Sequence, residues 1–130
     1  MSQTVPYGAV IYAKDYRALA GFYERVGGLT QREADDEYVL LEAPSFQLVI
    51  LQIPERIAAN ITIEKPPRKR ENTPIKIFLN VSSIENARQT AKALGGGLNG
   101  PEKEWKFHGV RRCDGIDPEG NVFQLQEVPE

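Results

Sequence analysis

Asp117-Pro118-Glu119-Gly120-Asn121-Val122-Phe123-Gln124-Leu125-Gln126-Glu127 reads as a tight turn feeding a strand. Pro118 presets φ for the turn, and Gly120 and Asn121 tolerate positive φ. Val122, Phe123 and Leu125 favour an extended, buried strand. Working backwards from this closing element, residues 75–81 predict another strand. Ser82 and Glu85 then have capping-box spacing, and Ile84, Ala87, Ala91 and Leu94 put one apolar stripe on the following helix. Gly95-Gly96-Gly97 stops that helix, and strands are predicted near 103–107, 109–116 and 121–127.

The first half repeats the plan. Residues 7–13 form an apolar run bounded by Pro6 and Asp15, as a strand does. Asp15 is the expected N-cap. Leu19, Phe22, Tyr23 and Val26 recur at helical spacing, and Gly27-Gly28 closes the helix. Strands follow near 29–34, 37–43 and 46–53. A polar, proline-containing connector over roughly 54–74 separates the halves; it is long for a structureless loop and is expected to separate modules or lie over a cavity. The expectation is one domain: module 1–53, connector 54–74, module 75–130.

Composition narrows the function classes. A chain of 130 residues suffices for one real core. A net charge of −2 gives no general attraction to nucleic acid or anionic membrane. The local basic residues Lys65, Arg68, Lys69 and Arg70 read as a solvated loop. No stretch approaches a membrane span, and the N-terminus shows no signal-peptide pattern. The single cysteine, Cys113, forms no internal disulfide, which suits a reducing cytoplasm. It reads as a small core residue, since it lacks an adjacent base.

Strand alternation separates two faces. Ile77, Leu79 and Val81 oppose Lys76, Phe78 and Asn80, and Phe123 and Leu125 oppose Val122, Gln124 and Gln126. Ala9, Ile11 and Ala13 oppose Gly8, Val10 and Tyr12; Val49, Leu51 and Ile53 oppose Leu48, Ile50 and Gln52. One face is almost wholly apolar. The other is mixed, which fits either a solvated sheet or a pocket with a few orienting polar groups.

The order Lys14-Asp15, Phe22-Tyr23, Gly27-Gly28 and Asp117-Pro118-Glu119-Gly120-Asn121, within two strand–helix–three-strand units, resembles the vicinal-oxygen-chelate superfamily of glyoxalases, bleomycin-resistance proteins and extradiol dioxygenases. The resemblance spans nearly the whole chain. It implies an α+β fold in which two βαβββ modules form a cup-shaped mixed sheet. It also implies four metal ligands at the centre of the cup, and these carry over to Gly8, Lys76, Gln52 and Gln124. Glycine has no side chain to offer, lysine is a cation, and glutamine amides are weak ligands beside imidazole and carboxylate. No metal and no cofactor are therefore expected.

The resemblance without its ligand set implies a metal-independent small-molecule binding protein of the sequestration or resistance type, cytoplasmic and homodimeric. The expected anchors are Lys76, Gln52 and Gln124, with Lys76 donating to the two amides where the metal sits in relatives. Tyr12, Phe78 and Trp105 supply the walls, and Asn80 and Gln126 line the same face. Solvent exposure of Lys76 and core packing of Tyr12 are the competing readings. Trp105 with Lys106, Phe107 and His108 fits a rim or a subunit interface. The alternative is an enzyme: a lyase of the lactoylglutathione-lyase type, an isomerase or a dioxygenase, metal-dependent or using Lys76 or His108 as base. His108, the only histidine, is read as a strand residue near Trp105. A third reading is a partner module whose cup is filled by its own side chains or by the connector.

Overall fold

The computed structural model describes residues 5–129; residues 1–4 and 130, at the outer limits of the two expected modules, lie outside the described residues. The first half contains β1 (Tyr7–Ala13), α1 (Tyr16–Gly27), β2 (Thr30–Ala34), β3 (Tyr38–Ala43) and β4 (Phe46–Gln52), and the connector opens with the short α2 (Glu55–Ala58). The second half contains β5 (Phe78–Val81), α3 (Ile84–Ala93), β6 (Gly97–Leu98), a 3-10 turn at Pro101–Lys103, β7 (Trp105–Phe107), β8 (Val110–Ile116) and β9 (Val122–Glu127). The first sheet runs β1-β4-β3-β2 with β1 parallel to β4. The second runs β5-β9-β8 with β5 parallel to β9, and β6 and β7 share the far edge of β8. The first half is the βαβββ unit the sequence predicts, and the second is the same unit with the short β6 added after its helix; in both, the first strand runs parallel to the last. The two sheets are separate in hydrogen bonding.

Local chemistry sets the element ends. The Asp15 carboxylate accepts from Ala18 N at 3.2 Å, and α1 closes at Gly28, whose φ of 68° is a conformation glycine adopts without a Cβ penalty. Leu19, Phe22, Tyr23 and Val26 are buried on one side of α1. Helices α1 and α3 pack against each other in one core that also takes the inner faces of both sheets. At its centre Phe22, Tyr23 and Phe123 meet edge to face, with ring centroids 5.3–5.7 Å apart. Burying a side chain of this size contributes roughly 2–3 kcal/mol, and each aromatic pair adds about 1 kcal/mol.

The turn that closes the chain is the clasp between the halves. Asp117 Oδ1 accepts from Glu119 N (2.9 Å) and Asn121 N (3.0 Å), which shapes the turn. Asp117 Oδ2 accepts from the Tyr23 hydroxyl at 2.8 Å. The buried Glu119 carboxylate reaches back to the β1–α1 junction and accepts from Lys14 N (2.8 Å) and Asp15 N (2.7 Å). The connector is strapped on from outside: Arg70 N donates to Gly120 O at 2.9 Å, and Lys14 Nζ donates to Ile61 O.

Three expectations need correction. Strand β5 begins at Phe78 rather than near residue 75. The N-cap of α3 is Ser83, which accepts from Asn86 N, instead of a Ser82–Glu85 box; the Glu127 carboxylate supplies the cap of Ile84 N at 2.9 Å. Gly97 and Leu98, read only as the end of a helix stop, form β6 against Gly115 and Ile116.

Replacing Gly120 by alanine sets a Cβ 2.2 Å from Arg68 O at a φ of 85°. Gly120→Ala is expected to cost more than about 2 kcal/mol in urea unfolding. Burial is the main influence on Asp117 and raises its pKa above the ordinary 3.8, against hydrogen bonds from Asn121, Tyr23 and the turn backbone. A carboxyl raised in the fold binds protons more tightly folded than unfolded, so its contribution is fullest below pH 3.8 and fades as pH climbs through the raised value. The stability of wild type relative to Asp117→Asn is expected to fall over that window and then level off, measured by denaturation at a series of pH values.

Candidate functional site

The outer face of the second sheet gathers the chemistry. Register places Phe78 beside Gln124 and Asn80 beside Gln126. Asp114 lies beside Gln124 and Arg112 beside Gln126, while Trp105 lies beside Arg112. Alternation sends Leu79, Cys113, Phe123 and Leu125 into the core and leaves these seven side chains on the opposite face. Phe78, Trp105 and Phe107 remain exposed there, at 51%, 38% and 52%.

A chain of hydrogen bonds crosses this face. Lys76 Nζ donates to both Asp114 oxygens at 3.0 and 3.1 Å. Asp114 Oδ1 also accepts from Gln124 Nε2 at 3.1 Å. Gln124 Oε1 accepts from Arg112 Nη1 at 2.5 Å, and Arg112 Nη2 donates to Gln126 Oε1 at 2.8 Å. Gln126 Nε2 in turn donates to Asn80 Oδ1 at 2.6 Å. Asp114 and Asn80 thereby turn both glutamine oxygens towards Arg112. The guanidinium carbon sits 4.5 Å from the Phe78 ring centroid and 5.0 Å from that of Phe107. Arg112 Nε is buried and has no hydrogen-bond partner, and among the described residues no ion pair includes Arg112.

The structure brings together Lys76, Phe78, Asn80, Trp105, Gln124 and Gln126. It does not bring Gln52 or Tyr12 to them. Gln52 pairs with Ala13 at the end of β4, and its amide is spent on Lys14 O (2.9 Å), Ile53 O (2.8 Å) and Tyr16 N (3.4 Å). The expected Lys76–Gln52–Gln124 centre therefore does not form: Lys76 goes to Asp114, and the cation on Gln124 is Arg112. By the internal repeat, Val10 stands five residues before the Asp15 cap, as Phe78 stands five before Ser83. Val10 pairs with Val49 as Phe78 pairs with Gln124, so the counterpart of Gln124 on β4 is Val49, which has no donor atom. Tyr12 is 64% exposed on the outer face of the first sheet, beside Leu51.

His108 is a turn residue and not a strand residue. With Gly109 it forms the two-residue β7–β8 hairpin, at φ values of 51° and 77°, the positive-φ pair of a type I′ turn. Its ring lies 4.4 Å from that of Phe107. Cys113 is buried, and burial pushes its thiol up against the opposing pull of Arg88; this is a core thiol without nucleophile activation. Arg112 escaped the sequence reading, although the same alternation run along 110–116 puts Arg112 and Asp114 opposite Cys113.

The metal implied by the resemblance does not fit these residues. Gly8 has no donor, Lys76 is held by Asp114, Gln52 is saturated by backbone, and Gln124 offers its oxygen to a guanidinium. Among the described residues no three His, Cys, Asp or Glu side chains are grouped to hold an ion. Two concavities lie elsewhere. One of about 460 Å³ is lined by Arg25, Ser82, Ser83, Asn86 and Thr90 among others, and one of about 240 Å³ lies between the connector and Glu119. Glu119 is fully engaged with Lys14 and Asp15, and neither concavity contains an unpartnered buried side chain.

Residues 8–126 match the model of the glyoxalase-like domain, and the chain belongs to that family. A glyoxalase/bleomycin resistance protein/dioxygenase family enzyme from Burkholderia phytofirmans superposes with a TM-score of 0.69, at 17% identity over 97% of this chain and 99% of that one. A glyoxalase/bleomycin resistance protein from Albidiferax ferrireducens gives 0.63 at 16% identity over 95% and 97%. A bleomycin-binding protein complexed with bleomycin gives 0.57 at 16% identity over 98% and 99%. At these identities the likeness is one of fold. No curated protein matches the sequence. No helix among the described residues is long and apolar enough to cross a membrane.

The hydrogen-bond chain makes a graded prediction. The Lys76–Asp114 pair is partly solvated, so Lys76→Met is expected to change stability by less than about 1 kcal/mol. Gln124→Leu leaves Nη1 of the half-buried guanidinium without its acceptor and is expected to cost roughly 1–3 kcal/mol. Urea denaturation of the two variants measures the contrast.

Proposed function

We propose that this glyoxalase-like protein binds a small molecule on the outer face of the second sheet, without a metal, and acts by holding it. The observation that carries the reading is Gln124: where the resemblance implies a metal-binding carboxylate, this chain has an amide whose oxygen faces Arg112. A guanidinium held by two amides is the anchor, Asn80 and Lys76 complete the polar floor, and Phe78, Trp105 and Phe107 are apolar walls already exposed to receive a ligand. The connector leaves this face open, because its backbone contacts run to Gly120 and Lys14 at the turn. That geometry supports an open site over a filled partner module. The relative that binds bleomycin is consistent with small-molecule binding.

The working form in this proposal is a homodimer. The first sheet presents Val10 and Tyr12, 54% and 64% exposed, beside Val49, Leu51 and Leu40. Glu33, Asp35, Asp36 and Glu37 lie along its β2–β3 margin. This acidic-edged apolar face suits the cationic, aromatic outer face of the second sheet, and within one chain the two do not share a sheet. A second copy would bring Tyr12 to the ligand wall. The free thiol of Cys113 is compatible with a cytoplasmic setting.

A thermal-shift screen of small organic molecules against purified protein tests the reading, since a ligand selective for the folded state raises apparent stability. The expected result is hits that Phe78→Ala weakens, with no shift from zinc, nickel, manganese or iron, and a light-scattering mass of two chains that Tyr12→Glu halves. A stoichiometric, tightly held metal would sink it.

A further inference from the structure

We infer that Arg112 is the recognition point for an anionic group, and that the ligand of this site is an organic acid with an apolar body. The inference rests on the binding reading above and names the chemical class. Of the two arginines that are not fully exposed, Arg88 meets two carboxylates, Glu85 and Glu104. Arg112 meets only the neutral oxygens of Gln124 and Gln126. Its neighbour Arg111, turned to the other face, finds Glu104 and Glu127 at 3.6 and 3.8 Å. A half-buried cation without a counter-ion is costly, because amide dipoles replace only part of its hydration. The fold nonetheless fixes this one firmly. Asp114 and Asn80 set the amides, the amides set the fork, and the guanidinium carbon lies over the Phe78 and Phe107 rings.

Of the five N–H groups of a guanidinium, two go to the glutamines and the one on Nε has no partner. One N–H on each outer nitrogen is left to donate to a carboxylate, the charge-assisted contact that arginine makes best. The neighbouring cation, Lys76, is already matched by Asp114, so the unmatched charge of this face is that of Arg112. The rim next to it is aromatic: Trp105 stands directly beside Arg112 on β7. A carboxylate on the guanidinium places the remainder of the molecule over Trp105 and the exposed parts of Phe78 and Phe107.

Benzoate and its uncharged isostere benzamide are the probes, titrated at low ionic strength into the full chain. The readouts are thermal shift and the fluorescence of Trp105, the only tryptophan. Benzoate is expected to give saturable changes in both, and benzamide to bind at least about tenfold more weakly, the loss of one charge-assisted contact. Arg112→Gln is expected to abolish the difference between the probes, and Arg112→Lys, which keeps charge but loses the fork, to recover part of it. Equal response to benzoate and benzamide in wild type overturns the anion assignment and leaves small-molecule binding standing; this comparison needs no variant to fold. Unchanged benzoate binding in Arg112→Gln overturns it as well. So does an Arg112→Gln variant that becomes monomeric with its benzoate response intact, which would give the counter-ion to a carboxylate of a second copy.

Discussion

The Glu119 carboxylate on the backbone of Lys14 and Asp15 is the contact on which the arrangement of the two halves turns. It belongs to the last turn of the chain and satisfies amide groups at the first helix. Asp117, two residues earlier, takes the Tyr23 hydroxyl from the same helix. Two buried acids thus tie the β8–β9 turn to α1 and the residues that lead into it, and Phe123 continues the tie through Phe22 and Tyr23. Buried carboxylates are tolerable only when their oxygens are taken, and here the oxygens are taken by the other module. Within the second half, the partly exposed Glu127 likewise accepts from a backbone amide at a helix start, Ile84 N.

This clasp leaves the outer faces of both sheets free. Because helices and inner faces are consumed in one core, the side chains that remain accessible project from the other side of each strand. On the first sheet that side carries Val10, Tyr12, Val49 and Leu51. On the second it carries Arg112 with its amides. The two faces differ in side chains and not in strand geometry: the pairing of β1 with β4 repeats that of β5 with β9, but Val49 stands where the second sheet has Gln124.

Much of this was legible in the sequence, and the losses have physical causes. Strand β1, the Asp15 cap, the Gly28 stop and the 122–127 strand follow from local rules, since each is set by groups within a few residues. The Ser82–Glu85 box failed because Ile84 N is served from 43 residues away by Glu127, a partner that spacing does not reveal. Strand β5 is shorter than its apolar run because its pairing with β9 starts at Phe78. Gln52 failed for a related reason: its parity on β4 places it with Leu48 and Ile50 rather than with Gly8, and register decides the face. His108 looked like part of a strand until the His108–Gly109 pair is recognised as a two-residue hairpin. Arg112 required alternation to be applied to β8 as it was to β9.

The shared core has a practical side. Each half supplies a helix and a sheet that would expose Phe22, Tyr23 or Phe123 if it stood alone, while the strap at Gly120 holds the connector by a few backbone contacts. A polypeptide interrupted inside that strap keeps its aromatic seam and both acidic ties. A backbone nick within the connector therefore leaves the contacts that join the two halves in place.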